Sequence, residues 1–210
     1  MAFALRPATF GDAPILTDIY LAAFKDEPIS RAIFPRMGPS SYNWWYDSIL
    51  EEMGNPEWHF ICIYSTSDPK KSPVAYAKWN APTSTPLPRR EELPEWPEFS
   101  NTELANHFFG TLFENRRANM GERRHWYLEI LATLPEMQGK GAASMLLKWG
   151  LEKADEAGLE SYLEASPKGK SLYEKMGFEE KGRLVLPSPD DDAEEFVECF
   201  MLREPRTKSE

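Results

Sequence analysis

The fold is decided by residues 125–154, which read HWYLEILATLPEMQGKGAASMLLKWGLEKA. Up to Thr133 the side chains alternate between two faces, which predicts a strand. One face of this predicted strand carries Tyr127, Glu129, Leu131 and Thr133. After Gly141, apolar residues recur at the spacing of a helix that lies on a sheet. The stretch therefore predicts a strand, a glycine-containing loop and a helix in succession.

The loop Gln138-Gly139-Lys140-Gly141-Ala142-Ala143 joins the predicted strand to the first turn of the helix. Backbone N–H groups at a helix N-terminus lack intrahelical partners, and the helix dipole favours an anion there. Glycine has no Cβ, so a ligand can approach the backbone closely. On the glycines alone, a phosphate site and an ordinary strand–helix turn remain alternatives. Two phosphate-loop patterns, G-x-x-x-x-G-K-[ST] and G-x-G-x-x-G, do not fit the spacing.

A third pattern, Gln/Arg-x-x-Gly-x-Gly/Ala, is filled by Gln138, Gly141 and Ala143. Downstream, Ser171-Leu-Tyr-Glu-Lys-Met-Gly-Phe178 contains Leu-Tyr-x-x-x-Gly-Phe, and a predicted strand lies between the two motifs. Together they resemble the acetyl-CoA pyrophosphate loop and the downstream segment of the GNAT superfamily of N-acetyltransferases. The close resemblance covers residues 124–184, and the rest of the chain fits the family by the order of its elements.

Composition limits the class of protein. The length of 210 residues suits a single domain over residues 1–204, followed by a polar tail over 205–210. No apolar run approaches the roughly 20 residues that a membrane helix needs, and the N-terminus lacks a signal-peptide layout. We therefore expect a cytoplasmic protein without a membrane partner. The net charge of −10 argues against a nucleic-acid partner.

The two cysteines, Cys62 and Cys199, are expected to be reduced core residues. No Cys/His cluster has metal-ligand spacing, so no metal is expected. The acidic tract over 187–194 is interpreted as a solvated turn. The proline-rich stretch over 81–99 is predicted to be a long loop, either a cover near the substrate site or an exposed insertion.

The element order β α α β β α β α β α β β predicts a mixed α/β fold. It corresponds to a mostly antiparallel central sheet flanked by helices, the acyl-CoA N-acyltransferase arrangement of the GNAT resemblance. The stretch from residue 25 to 40 is predicted to be a loop between the first two helices. Those helices and their connection wall the acceptor site in the family resembled.

The resemblance implies a set of cofactor contacts. Backbone N–H groups of the loop would hold the pyrophosphate, and the strand edge would pair with the pantetheine amides. The predicted acetyl-CoA contacts are Leu131, Thr133, Gln138, Gly139, Lys140, Gly141, Ala142, Ala143 and Ser166. Ser166 stands where many relatives have an asparagine.

The resemblance also implies catalytic roles. Tyr173 would return a proton to the departing thiolate, since the matching family tyrosine has this role. Glu129 would either remove the proton of the acceptor amine or anchor the cationic substrate, and His125 is a second candidate base. The predicted substrate contacts are Phe24, Tyr42, Trp79 and Tyr127.

These features together predict an N-acetyltransferase. It would move an acetyl group from acetyl-CoA to a primary amine of a small molecule, by direct attack in a ternary complex. A protein or peptide N-acetyltransferase and a non-catalytic acyl-CoA-binding module remain alternatives. The sequence names neither the amine nor the oligomeric state.

Overall fold

The structure, a computed structural model, describes residues 2–35, 39–82, 87, 92–187 and 195–206. Its helices are α1 (Ala13–Phe24), α2 (Pro28–Ile33), α3 (Pro39–Met53), α4 (Thr102–Met120), α5 (Ala142–Ala157) and α6 (Pro167–Lys175). Its strands are β1 (Phe3–Pro7), β2 (Trp58–Ser65), β3 (Pro73–Asn80), β4 (His125–Thr133), β5 (Glu160–Ala165), β6 (Glu179–Leu186) and β7 (Phe196–Arg203). Short 3-10 turns cover Phe10–Asp12 and Pro135–Met137.

The predicted element order is confirmed, with one addition. Helix α2 lies inside the stretch that was predicted to be a loop, and Pro28 occupies its first helical position. A helix of 6 residues is too short to show a helical repeat in the sequence, so its periodicity could not be recognised.

The strands pair mostly in the antiparallel sense and alternate with helices along the chain, which confirms the predicted mixed α/β fold class. The described residues group into two compact units. The first contains β1, α1, α3, β2 and β3 with residues 127–153, and the second contains α2, α4 and the chain from Ala154 onward. The single domain over 1–204 with its polar tail stays a prediction.

In the first unit, β1, β2, β3 and β4 pair in that order, and every pair is antiparallel. One face of these strands packs against α1 and α3. Its buried core consists of Ala13, Leu16, Ile19, Ile49, Phe60, Cys62, Tyr76 and Ala132. The opposite face carries Trp79, whose fully buried ring lies against Gly150 of α5.

In the second unit, β5 and β6 both pair with β7 in the antiparallel sense. Arg203 of β7 donates two hydrogen bonds to the Asp155 carboxylate, at 2.7 and 2.9 Å. Phe108 of α4 meets Phe196 edge-on, with 6.2 Å between ring centroids. These contacts hold β7 in place, and β7 pairs with β5, the strand that leads into α6.

Parts of two predicted segments lie outside the described residues. They are 83–86 and 88–91 of the proline-rich loop, and 188–194 of the acidic tract. Residues 207–210 of the polar tail also lie outside them. Within the described chain, none of the helices has both the length and the apolar character required to cross a membrane. Cys62 and Cys199 are buried free thiols, as predicted.

Candidate active site

An irregularity in β4 changes the predicted faces of that strand. Lys78 of β3 pairs with Ile130, but the next residue, Trp79, pairs with Leu128, so Glu129 is an extra residue opposite the β3 strand. An extra residue of this kind is a β-bulge, and it reverses the alternation of side chains beyond it. The expectation that Glu129 shares a face with Leu131 and Thr133 is therefore wrong.

The faces that result are clear from the strand pairing. Leu131 and Thr133 pair with Ala77 and Ala75, on the face opposite to Lys78. Tyr127 pairs with Asn80 and so lies on the same face as Lys78. The carboxylate of Glu129 also reaches Lys78, with 3.0 Å between the charged atoms. The bulge thus moves Tyr127 and Glu129 toward α1 and α3.

Lys78 is the centre of a charged cluster on this face. Its side chain is only 1% exposed, yet its ammonium pairs with two carboxylates, Glu52 of α3 at 2.5 Å and Glu129 at 3.0 Å. The ammonium also lies 4.2 Å from the centre of the Trp58 ring, a cation–π contact. Burying an unpaired ammonium would cost several kcal/mol, so these partners explain how the lysine is accommodated.

The two carboxylates of the cluster remain accessible. The Glu52 side chain is 32% exposed and the Glu129 side chain 33%. Burial raises the pKa of Glu52 to about 7, with Lys78 opposing the shift and Glu129 adding to it. A carboxyl group that titrates near neutral pH is suited to accept a proton at that pH.

Sequence reasoning missed both Glu52 and Lys78. A signal for Glu52 was present, because it lies three residues after Ile49 and seven after Trp45, on the apolar stripe of α3. Lys78 left no such signal, since its role depends on a strand register and a bulge that involve distant parts of the chain.

Aromatic residues border the carboxylates within the first unit. The Tyr20 ring of α1 lies 4.1 Å from the Trp45 ring and 4.8 Å from the Phe24 ring, measured between centroids. Burial raises the pKa of Tyr20, and the charges of Glu129 and Glu52 raise it further. Phe24, a predicted substrate contact, packs against Tyr20 in this group of rings.

Two other predicted substrate contacts do not join this cluster. Trp79 is fully buried, and a Cβ added to Gly150 would lie 2.1 Å from its ring. Trp79 is therefore not among the residues that we propose to contact the substrate. The Tyr42 hydroxyl donates to the Pro14 carbonyl at 3.4 Å, and ten residues of helix place it about 15 Å along α3 from Glu52.

The glycine loop joins β4 to α5, as the sequence predicts. Gly139 and Gly141 adopt positive φ angles of 72° and 90°, which side chains other than glycine rarely adopt. A Cβ added at either position would meet nothing within 4 Å, so the space beside the loop is open. Helix α5 begins at Ala142, and its first N–H groups lie directly after these glycines. The loop therefore offers an open cradle for an anion.

Two loop side chains are used to shape the loop itself. The Gln138 amide donates to the Thr133 carbonyl at 3.2 Å, which joins the loop to the end of β4. The Lys140 ammonium donates to the Glu136 carbonyl at 2.7 Å. These contacts leave the backbone of residues 139–143 as the main group that faces an anion.

Tyr173 lies in the second unit, on α6, and is 8% exposed. Its ring covers Gly169, one turn earlier, where a Cβ would lie 2.8 Å from the ring. Phe178 contacts the same ring edge-on, with 6.0 Å between centroids. Burial raises the pKa of the Tyr173 phenol, and the charge of Glu198 adds to the effect. The phenol is thus held in its neutral form, as a hydrogen-bond donor.

Ser166 begins the same helix. It is the N-cap of α6, and its carbonyl accepts hydrogen bonds from the N–H groups of Gly169 and Lys170 at 3.0 and 3.1 Å. Its hydroxyl makes no capping hydrogen bond. The contact of Ser166 with a cofactor, which the resemblance implies, stays a prediction.

His125, the second candidate base, has a structural role. It is 4% exposed, its Nε2 accepts a hydrogen bond from Arg116 at 3.0 Å, and its Nδ1 lies 2.8 Å from the Arg123 carbonyl. This arrangement requires the proton on Nδ1. Burial lowers the pKa of His125 to about 4, and the charge of Arg116 adds to the decrease. The neutral ring has no nitrogen left for an amine proton.

The low pKa of His125 predicts a pH-dependent stability. A histidine whose folded pKa lies below the unfolded value of ~6.5 contributes fully above pH ~6.5 and loses that contribution as the pH falls toward 4. We expect the difference in unfolding free energy between the wild type and His125→Gln to shrink by about 3 kcal/mol over that range. Urea unfolding at several pH values measures it. A constant difference would contradict the assignment, and His107→Gln, at an exposed position in the same unit, is the control.

In the part of the chain that the structure describes, no group of three or more His, Cys, Asp or Glu side chains is arranged to hold a metal ion. The acidic tract that raised the question, 188–194, lies outside the described residues.

Comparison with known proteins agrees with the fold. The chain is similar to the crystal structure of histone acetyltransferase HPA2 and related acetyltransferase from Corynebacterium glutamicum, with 24% identity, full coverage of both chains and a TM-score of 0.63. It is also similar to arylalkylamine N-acetyltransferase 2 from Aedes aegypti, with 14% identity, 98% and 100% coverage and a TM-score of 0.72. A third likeness is to a GNAT superfamily phosphinothricin acetyltransferase from Sinorhizobium meliloti in complex with AcCoA, with 18% identity, 99% and 91% coverage and a TM-score of 0.59.

The chain therefore shares the mixed α/β fold of these solved structures. The family model described as Acetyltransferase (GNAT) family matches residues 77–178, from β3 to the end of the second motif. Residues 77–178 thus match the GNAT acetyltransferase family, which confirms the predicted resemblance. This match supports acyltransferase activity.

Proposed function

We propose that this protein is an acetyl-CoA-dependent N-acetyltransferase that acts on a primary amine of a small molecule. The observation that carries the proposal is the pair of accessible carboxylates, Glu52 and Glu129, held beside aromatic rings in a GNAT domain. An amine with a pKa near ~10.4 is mostly cationic at neutral pH, so its acceptor site needs a negative charge and a proton acceptor. The carboxylate pair supplies both.

Acetyl-CoA binding is proposed for the glycine loop and the end of β4. The open cradle at Gly139 and Gly141 fits a pyrophosphate on the backbone N–H groups that begin α5. Leu131 and Thr133 would pair with the pantetheine amides, and the Ser166 hydroxyl would add one hydrogen bond. When bound, acetyl-CoA supplies the acetyl group as a thioester. One of the similar structures holds AcCoA, which supports the assignment.

The chemistry follows from the proposed roles of three side chains. Glu129 binds the ammonium form of the acceptor, and Glu52, with its raised pKa, takes the proton from the nitrogen. The free amine then attacks the thioester carbonyl carbon, the C–N bond forms, and the C–S bond breaks. Tyr173 donates its phenolic proton to the departing sulfur. The nitrogen, now bonded to the acetyl carbon, gives up its second proton to solvent, a solvent proton returns to the Tyr173 phenolate, and Glu52 releases the proton that it took. The amide and the free thiol then leave.

The surroundings of the carboxylates favour an amine joined to an apolar or aromatic body. Trp45 lies two turns before Glu52 on α3, its ring packs against Tyr20, and the Trp58 ring lies at the Lys78 ammonium between the carboxylates. A structurally similar protein from Aedes aegypti is an arylalkylamine N-acetyltransferase by name, which agrees with this choice. A protein N-acetyltransferase and a non-catalytic acyl-CoA-binding module are the alternatives that a screen of acceptors would separate.

The cofactor assignment predicts a selective effect of Gly141→Ala. A Cβ at a φ of 90° strains the backbone by about 1–2 kcal/mol, so the loop should leave the conformation that holds the pyrophosphate. We expect acetyl-CoA to bind about 10-fold more weakly, as measured by titration calorimetry.

The matched control is Gly158→Ala, at the other end of α5. Gly158 has a φ of 62° and the same open space around a Cβ, so it carries comparable strain without a predicted phosphate contact. If both variants bind acetyl-CoA equally well, the loop is an ordinary strand–helix turn.

A further inference from the structure

We propose that Lys78 is a positioning residue for the acceptor amine, whose buried ammonium holds Glu52 and Glu129 together as one accessible pair of carboxylates. This inference rests on the proposed function, since it assigns the group that organises the same acceptor site. Lys78 itself does not touch the substrate in this account, because its side chain is only 1% exposed.

Three elements converge on the Lys78 ammonium. Glu52 comes from α3, Glu129 from the bulge in β4 and the Trp58 ring from β2. Two carboxylates would repel each other if brought together alone, and the repulsion would be strong where water is partly excluded. The ammonium between them removes that repulsion, so both can stay at the same place on the surface.

The charges of the cluster do not cancel. When both carboxylates are ionised, the single ammonium balances only one of them, and one negative charge is left over. Lys78 neutralises one carboxylate from the buried side, and the other is left for a cation that arrives from the exposed side. A cationic amine therefore completes the cluster, whereas a neutral or anionic acceptor would not.

Lys78 also orients the side chain of Glu129. Glu129 is the extra residue in β4, so the strand pairing does not by itself direct its side chain. The contact with Lys78 at 3.0 Å supplies that direction. Loss of Lys78 should therefore free the Glu129 side chain as well as bring two negative charges into conflict.

The other titratable groups around the cluster are few in the described chain. Glu51 neighbours Glu52 on α3, Tyr20 faces the carboxylates from α1, and Tyr76 lies beside Lys78 on the same face of β3. The Tyr76 hydroxyl is fully buried and has no hydrogen-bond partner. Neither phenol carries charge near neutral pH, because burial raises the pKa of both.

The test is a carbon-13 NMR titration of the Glu52 side-chain carboxyl in the wild type and in Lys78→Met. Without the ammonium, the titration midpoint of Glu52 should rise by at least about 1 pH unit. A midpoint that stays unchanged overturns the proposal. Lys148→Met, at an exposed position of α5, is the matched control and should leave the midpoint in place.

A measurement on the wild type covers the case in which Lys78→Met does not fold. The nitrogen-15 resonance of the Lys78 ammonium should shift with the same midpoint as the Glu52 carboxyl, because the two groups are in direct contact. Independent transitions, or a Lys78 resonance that does not respond, contradict the proposal.

Kinetics separate this inference from the proposed function. If the wild type releases no CoA with any amine, the proposed function fails, while the two NMR titrations still test the role of Lys78. If the wild type is active, Lys78→Met should raise KM for the amine about 10-fold at neutral pH and leave KM for acetyl-CoA unchanged. Lys78→Arg should recover part of the loss, because it restores the positive charge. An unchanged KM for the amine contradicts the proposal.

Discussion

Replacing Tyr173 by phenylalanine should lower kcat about 100-fold while KM for acetyl-CoA changes little. The phenol is buried on α6 and held neutral, so it can donate to the departing sulfur without binding the cofactor more tightly. The phenylalanine ring fills the same space over Gly169 and against Phe178, so the fold should be retained. Steady-state kinetics of CoA release, followed from pH 6 to pH 10, measure the effect.

The matched control for this substitution is Tyr162→Phe. Tyr162 is fully buried on β5 in the same unit, and it has no role in the proposed chemistry. Its loss of a hydroxyl should leave kcat nearly unchanged. If Tyr173→Phe has the same kcat as the wild type at every pH, then Tyr173 is not the acid that protonates the departing sulfur.

The double variant Glu52→Gln, Glu129→Gln should lower kcat/KM for the amine at least about 100-fold at pH 7. Glutamine keeps the shape of each side chain but removes the negative charge and the proton acceptor. In the wild type, the pKa of Glu52 near 7 predicts that kcat/KM rises with pH through this value, because only the ionised carboxylate accepts a proton. That rise should be absent in the double variant.

The single variants divide the roles of the two carboxylates. Glu52→Gln should remove the acid limb of the pH profile, and Glu129→Gln should mainly raise KM for the amine. Asp47→Asn, which removes an exposed carboxylate from the same helix, is the control. If Glu129→Gln alone abolishes the acid limb, then Glu129 is the base and Glu52 the anchor.

The sequence predicted the parts of this site that depend on local backbone. The start of α5 directly after Gly139 and Gly141 follows from residues that are neighbours in the chain. The order of strands and helices followed from periodicity in the same way. Among the helices, only α2 was not predicted, because its 6 residues are too few to show a helical repeat.

The sequence could not predict the parts that depend on pairing between distant strands. The bulge at Glu129 has no glycine or proline to mark it, and it places Tyr127 and Leu131 on opposite faces of the strand. The pairing of Lys78 with Glu52 and Glu129 joins residues 26 and 51 positions away from it. Trp79 illustrates the same limit, since its neighbour in the strand faces the carboxylates while its own ring is buried against Gly150.

The most direct test of the account is CoA release from acetyl-CoA by the purified protein over a panel of amines. The panel should cover arylalkylamines, polyamines, amino sugars, amino acids and peptides, with a matched alcohol for each class. The account predicts release with small amines that carry an apolar or aromatic body, at a rate that rises with pH through about 7 and that falls in the Glu52→Gln, Glu129→Gln variant. Release with none of the amines, while acetyl-CoA still binds, would contradict it and favour a non-catalytic acyl-CoA-binding module.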